Sequence, residues 1–515
     1  MCEGGEETAE KEAIPVNNKE RASHKTFYMD DEKIAEAIVY REGFEERPAF
    51  LVYSLKLGGF TIEDYLIIGQ ERVKPTPPSK YPYSPYVFDF NDERKAPDPK
   101  MLFEEVLEEF RRFVDVEDEI RVLMASTVML SYVQEFFETV PYLHLLGDNE
   151  SGKTHTLQLF AALCYRPLYG VSIPSADLYT FLGSDGHIPT IIEDEIQGVE
   201  RDSEKAKIWK VGYKRGAKVP RIMIKPNGER EIEYYPAYCL KISAGEKLIQ
   251  LKGLAERFIT VNMVEGDPES DEYTREDYER FQKLRRKLLL WRMELLIDST
   301  WPPSLEIPWL KKRMKELYKP LLVVASVHPA YYQVLEKFVE AKVEEKNEIK
   351  RNSLEGFLTK IVASLIKEKK SNEIPFLDIW SRIKFELDVE ESPSRPDRLE
   401  TDAYGVLTKQ KVGRRLREAL GSRVQRRWEE GRATVIHIFD LRRLEKCIKR
   451  YRLTDLIDLT DFLRDIVEEE AAENGVKGLE KPILEAEEAP ICSRKMVRTV
   501  RTVRHLNLSE ARQDG

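Results

Sequence analysis

The reading of this chain turns on one stretch, Tyr142-Leu143-His144-Leu145-Leu146-Gly147-Asp148-Asn149-Glu150-Ser151-Gly152-Lys153-Thr154. An apolar run of strand character enters G-x-x-x-x-G-K-T, and residues 155–164 follow with helical spacing. In a strand–loop–helix context, such glycines let backbone N–H groups turn inward around phosphate oxygens. The expected phosphate-binding residues are therefore Gly147, Asp148, Asn149, Glu150, Ser151, Gly152, Lys153, Thr154 and His155. Lys153 would reach the outer phosphates and the Thr154 hydroxyl would ligate Mg²⁺. The helix that follows would point its positive end at the same anion.

A triphosphate hydrolase also needs one carboxylate for the metal shell and one for the attacking water. Pro189-Thr190-Ile191-Ile192-Glu193-Asp194-Glu195 reads as a short buried strand ending in acids. In a parallel sheet the strand carboxyl ends face the ligand, so Asp194 is assigned to magnesium and Glu195 to water. Glu193 is a rival for either role, because three consecutive acids leave the register open. A third strand, Tyr238-Cys239-Leu240-Lys241-Ile242-Ser243-Ala244, offers Ser243 as a polar group beside the terminal phosphate. Arg257, in Gly253-Leu254-Ala255-Glu256-Arg257-Phe258-Ile259, precedes a further apolar strand. It is a candidate finger for a neighbouring subunit's nucleotide, the alternative being a surface ion-pairing arginine.

Outward from this core, 515 residues suggest several domains. Apolar residues at 42% are enough for a large core and too many for a disordered chain. With 92 acidic and 82 basic side chains the net charge is −10, which argues against a protein that coats nucleic acid with its whole surface. Five cysteines at 2, 164, 239, 447 and 492 form no metal or redox spacing and fit a reducing, cytoplasmic setting. The acidic N-terminus is unlike a signal peptide. The best apolar run, residues 122–133, is a buried helix, far short of the roughly 20 residues that cross a bilayer, so no membrane is expected.

The core and its flanks resemble AAA+ ATPases, and within them the MCM-like replicative helicases of archaea and mobile elements. The resemblance covers about 103–325. It rests on Val140-Pro141-Tyr142-Leu143 entering the P-loop, the acidic strand, the Ala255-Glu256-Arg257-Phe258 box and Arg313-Met314-Lys315-Glu316-Leu317-Tyr318-Lys319-Pro320-Leu321-Leu322 as a lid helix. It implies ATP as substrate with Mg²⁺, Arg313 as the lid's sensor arginine, and a homo-oligomeric, hexameric ring working on DNA. The expected fold is α/β: an AAA+ P-loop core with a parallel sheet (101–265) and a helical lid (266–350). A tail (1–25) and a small β-rich domain with a Pro-rich linker (26–100) precede it. A winged-helix domain (351–455) and a C-terminal tail (456–515) follow.

Two local elements oppose the acidic average. Residues 201–230 hold ten Lys/Arg against three acids and end in a hairpin pattern around Asn227-Gly228. In MCM-like rings such a hairpin enters the pore, which makes Lys225 and Arg230 candidate DNA contacts; the alternative is a solvated hairpin. Residues 408–452 hold fifteen Lys/Arg against five acids. They pattern as a helix capped by Thr408, a two-stranded wing and a closing helix, resembling a winged helix whose second helix enters the major groove. Lys409, Lys411, Arg414, Arg415, Arg417 and Arg432 are its candidate contacts with single- or double-stranded DNA; protein docking is the alternative. An acidic helix (465–490) and a basic run (497–504) close the chain. These features point to an ATP-dependent DNA translocase or helicase in replication. The rivals are a nucleotide-switched initiator or helicase loader and a protein-remodelling ATPase.

Overall fold

In the computed structural model, which describes residues 23–456 apart from 93, 184–187, 197–198, 200, 226, 252, 392–394 and 430–431, five apolar segments pair into one parallel sheet. Across it the order is Pro167–Val171, Thr190–Asp194, Leu240–Gly245, Tyr142–Leu146, Phe258–Asn262, and every pairing is parallel. Strands covered on both faces read as apolar runs rather than alternations, and each face here has its own core. Leu143, Leu145, Ile192 and Ile242 point to one side, and Tyr142, Ile191 and Phe258 to the other.

The first side is covered by helices Pro99–Phe113, Asp118–Val133, Lys153–Leu163, Arg275–Leu295 and Lys312–Ala325, whose Phe110, Met129, Phe160, Leu288 and Leu321 share its core. The second is covered by Ser175–Leu182 and Ser203–Val211 through Leu178, Ile208 and Trp209. The result is a three-layer α/β arrangement. Every residue from Val122 to Val133 is buried, as the apolar run predicts. Among the described residues no helix is long and apolar enough to cross a membrane.

The N-terminal segment forms an antiparallel sheet of Phe27–Met29, Lys33–Glu42, Glu45–Ser54 and Gly59–Glu63, with Val87–Asp89 added in parallel. Ile34, Ile38, Leu51 and Phe88 join the same core as the helical layer. Glu36, in the middle of its strand, is fully buried and accepts a hydrogen bond from the Tyr165 hydroxyl at 2.7 Å. It also pairs with Arg166 and with Arg292, the latter at 3.4 Å. A buried carboxylate persists only when matched in this way, so the charge ties this sheet to the parallel one. Ser23–Lys25, at the end of the expected tail, is a strand paired with Glu71–Pro75.

The chain divides into two compact units, Met1–Lys346 and Asn347–Gly515. In the second, helices Leu354–Lys369, Phe376–Leu387, Lys409–Glu418 and Leu441–Arg450 enclose a core around Trp380, Val412, Leu416 and Leu444. Glu373–Pro375, Arg432–Ile438 and Arg423–Glu429 form a three-stranded antiparallel sheet. A hairpin the sequence pattern did not reveal, Arg398–Thr401 with Gly405–Thr408, precedes the third helix. That helix is capped as expected: the Thr408 hydroxyl accepts from Lys411 N. Residues 1–22 and 457–515, including the acidic helix and the basic run expected at 465–490 and 497–504, lie outside the described residues.

Candidate functional site

The loop between strand Tyr142–Leu146 and helix Lys153–Leu163 has little freedom. A Cβ at Gly147 would lie 2.4 Å from Met263 O and 2.6 Å from Ser151 Oγ. Gly152 has φ +75°, and Glu150 also sits in the left-handed region at φ 65°. The Ser151 hydroxyl donates to Asp148 O at 2.7 Å, closing the turn. Lys153 Nζ folds back onto the loop, donating to Asp148 O at 2.5 Å and to Ser151 Oγ at 3.1 Å.

In front of the loop, at the carboxyl edge of the sheet, lies a cleft of about 530 Å³ lined by residues 149–155, Ser172, Asp194, Glu195, Gly245 and Glu246. Gly147 and Asp148 shape the loop from behind rather than lining this cleft. Thr154 Oγ1 donates to Asp194 Oδ2 at 2.8 Å, and Asp194 Oδ1 accepts from Glu195 N at 3.0 Å. Glu195, with φ 54°, turns the chain out of the strand at the cleft.

The three consecutive acids separate. Glu193 is fully buried on the other side of its strand, paired with Lys205 of helix Ser203–Val211. Burial pushes its carboxyl up to about 7, against the pull of Lys205. Ser243 is buried and hydrogen-bonded to His144 Nδ1 at 3.0 Å, within the sheet and not in the cleft lining. Gly245 and Glu246 reach the cleft from that strand instead.

Arg257 lies at the opposite edge. It ends the short turn Ala255–Arg257 at the amino end of strand Phe258–Asn262, about 16 Å of strand away from the carboxyl edge. Its guanidinium carbon sits 4.4 Å from the centroid of the Tyr213 ring, and that of Arg313 sits 5.1 Å from the same ring. A hydrogen bond from Arg313, with both guanidinium charges, draws the Tyr213 hydroxyl below its usual pKa. Arg313 also pairs with Glu316 at 2.5 Å. Arg257 Nε and Nη1 are buried without a hydrogen-bond partner among the described residues. Arg257 and Arg313 thus come together with each other, and neither lines the cleft of its own chain. Tyr213 was missed in the sequence, where only its place in a basic stretch marked it.

Strands Lys218–Ile224 and Arg230–Pro236 form the expected hairpin. Lys225 N donates to Glu229 O and Gly228 N to Lys225 O, with Gly228 at φ +83°. Lys225 Nζ pairs with Glu231 at 2.8 Å, while Arg230 is exposed. In the second unit Lys409 pairs with Glu391 at 3.4 Å, Arg415 with Glu355 at 3.4 Å, and Lys411 Nζ donates to Val406 O. Arg414 and Arg417 are exposed and have no carboxylate partner among the described residues. Arg432 begins its strand.

No family model and no curated protein matches the chain. Among solved structures it is similar to the apo structure of the NrS-1 C-terminal region, at 10% identity and TM-score 0.34, over 78% of this chain and 96% of that one. A second apo form of that region aligns at TM-score 0.33. The chain is also similar to JCV helicase with a substituted acetamide bound, at 15% identity and TM-score 0.21, over 47% of this chain and 68% of that one.

Proposed function

We propose that the chain is an Mg²⁺-dependent ATP hydrolase that moves along DNA as a ring of identical subunits. One observation carries the reading: the loop lysine, the Thr154–Asp194 oxygen pair and Glu195 converge on one cleft at the carboxyl edge of a parallel sheet. The residues fit the ligand. Gly147 leaves no room for a side chain, Lys153 Nζ is held by loop oxygens that phosphate oxygens can replace, and the Thr154 and Asp194 oxygens suit a hard divalent cation.

In this reading the loop N–H groups hold the triphosphate, and Lys153 exchanges Asp148 O for phosphate oxygens. Thr154 and Asp194 would hold Mg²⁺, which would supply charge neutralisation at the outer phosphates. Glu195 orients the water that attacks the terminal phosphorus and takes its proton as the bond to the bridging oxygen breaks. Arg257 and Arg313, on the far edge, would complete the cleft of the next subunit. A donor edge and an acceptor edge on one sheet suit a head-to-tail contact, which gives a ring where the rotation between subunits closes. Six subunits rest on the family resemblance, and Ser243 as a sensor only on its place in strand Leu240–Gly245.

The DNA reading is supported by the basic hairpin, with Arg230 and Lys225 near its tip, and by the cationic second unit. A helix, a basic helix and a two-stranded wing there suit a winged-helix module, with Arg414 and Arg417 as its available contacts, Lys409, Lys411 and Arg415 on the same helix and Arg432 on the wing. If about six cations met phosphates, log K would fall by roughly 5 per tenfold rise in salt.

The test is ATP hydrolysis with and without single-stranded DNA, alongside strand displacement. DNA-stimulated turnover that is lost in Lys153→Ala supports the reading. Turnover without displacement would favour the initiator or loader, and turnover that survives Lys153→Ala would refute the site.

A further inference from the structure

Of the six tryptophans in the chain, Trp428 alone is exposed, at 79%. It sits one residue from the end of strand Arg423–Glu429, opposite Ala433. Val424 and Arg426 share its face, because side chains two apart in a strand point the same way. The small, exposed Ala433 gives the indole little to pack against, so a folding role does not explain it. The other face is spoken for: Arg427 forks onto Glu373 with hydrogen bonds of 2.5 and 2.9 Å.

The Trp428 face continues toward the basic helix. Val424 pairs with His437 in register, and His437 is buried, with its Nδ1 2.8 Å from Ser422 Oγ. Burial, and then the charge of Arg417 nearby, push the His437 imidazole down to about 4, so it is neutral at pH 7. Arg417, on helix Lys409–Glu418, and Arg426, on the hairpin, are both exposed and have no carboxylate partner among the described residues. From Val424 to Trp428 the strand runs about 13 Å. The surface therefore reads guanidinium, apolar side chain, guanidinium, indole, within a segment carrying fifteen cations and five acids.

We infer that this hairpin face is a contact for unpaired nucleic acid, in which Trp428 stacks on a base while Arg417 and Arg426 hold flanking phosphates. An indole face stacks on any base but finds none exposed inside a duplex, so the occupant is a single strand. The cations supply the complementary charge, and the base contact adds what phosphate pairing cannot. The inference rests on the nucleic-acid reading of the second unit and extends it from the basic helix to the hairpin.

The test uses the full chain and three labelled probes: a single strand, the same strand made abasic, and a blunt duplex, with affinity read by fluorescence anisotropy at fixed salt. Trp428→Ala should bind the single strand about tenfold more weakly, and Trp428→Phe should recover most of the loss. Wild type should bind the abasic strand as weakly as Trp428→Ala binds the normal one, and Trp428→Ala should not distinguish the two. The blunt duplex should be bound alike by wild type and Trp428→Ala. If Trp428→Ala binds the single strand as wild type does while Arg414→Ala with Arg417→Ala weakens it, stacking is wrong and the nucleic-acid reading of the unit stands. If none of these substitutions changes any affinity, or wild type binds no probe, both fail, and the exposed indole belongs to a protein contact.

Discussion

Thr154 Oγ1 and Asp194 Oδ2, forty residues apart in sequence, are joined by a 2.8 Å hydrogen bond across the mouth of the cleft. The first lies at the start of the loop helix and the second at the end of a strand separated by Leu240–Gly245 from Tyr142–Leu146, the strand that enters the loop. Both oxygens suit the same cation. Asp194→Asn is therefore expected to lower ATP turnover by about 10²-fold or more while a fluorescent ATP analogue still binds. Chelating Mg²⁺ should abolish wild-type turnover. A loss smaller than tenfold in Asp194→Asn would remove Asp194 from the metal shell.

Neighbouring acids should behave differently. Glu195→Gln is expected to cost about 10²–10⁴ in turnover, the usual contribution of a general base, and Glu193→Gln only a few-fold. Glu193 instead carries a pH signature. Its folded pKa, about 7, lies above the ordinary 4.5, so the folded chain holds this proton more tightly than the unfolded one. The stability it contributes is complete below about pH 4.5 and is lost as pH rises through 7. Urea unfolding should show wild type losing stability relative to Glu193→Gln across that window. A difference independent of pH would mean that Glu193 is charged throughout.

The Tyr213 cluster makes the ring testable. Arg257→Ala and Lys153→Ala should each be inactive alone, and mixing them should restore part of the turnover, because some interfaces then pair an intact loop with an intact arginine. Tyr213→Phe, which keeps the ring beneath both guanidinium groups, should retain more activity than Tyr213→Ala. Absence of any recovery on mixing would place Arg257 outside the neighbour's cleft.

At the hairpin, Lys225 is paired with Glu231 and Arg230 is exposed. Arg230→Ala should weaken DNA binding evenly across sequences and reduce the salt slope by about 1. Lys225→Ala should do less. Titrations at several salt concentrations measure both slopes, and equal effects would show that the pair opens on binding.

What the sequence revealed follows from how local each signal is. The strand–loop–helix around Gly147–Thr154 is contiguous, so composition and spacing sufficed for it and for the parallel α/β class. The acidic triplet was ambiguous because successive strand residues face opposite ways, and only pairing with its neighbours turns Glu193 to Lys205 and leaves Asp194 at the cleft. Ser172, Gly245 and Glu246 reach the cleft from ends of other strands, which no local pattern marks. The single acid in Lys33-Ile34-Ala35-Glu36-Ala37-Ile38 did carry a signal: a charge inside an apolar strand calls for a buried partner. Its partners, Arg166 and Arg292, lie far along the chain.

The most direct test of the account is motion itself, read as ATP-dependent displacement of streptavidin from an end-biotinylated single strand. The account predicts displacement with ATP and Mg²⁺, none with a non-hydrolysable analogue, and none with Lys153→Ala. ATP turnover stimulated by the strand, with streptavidin left in place at either end, would contradict it.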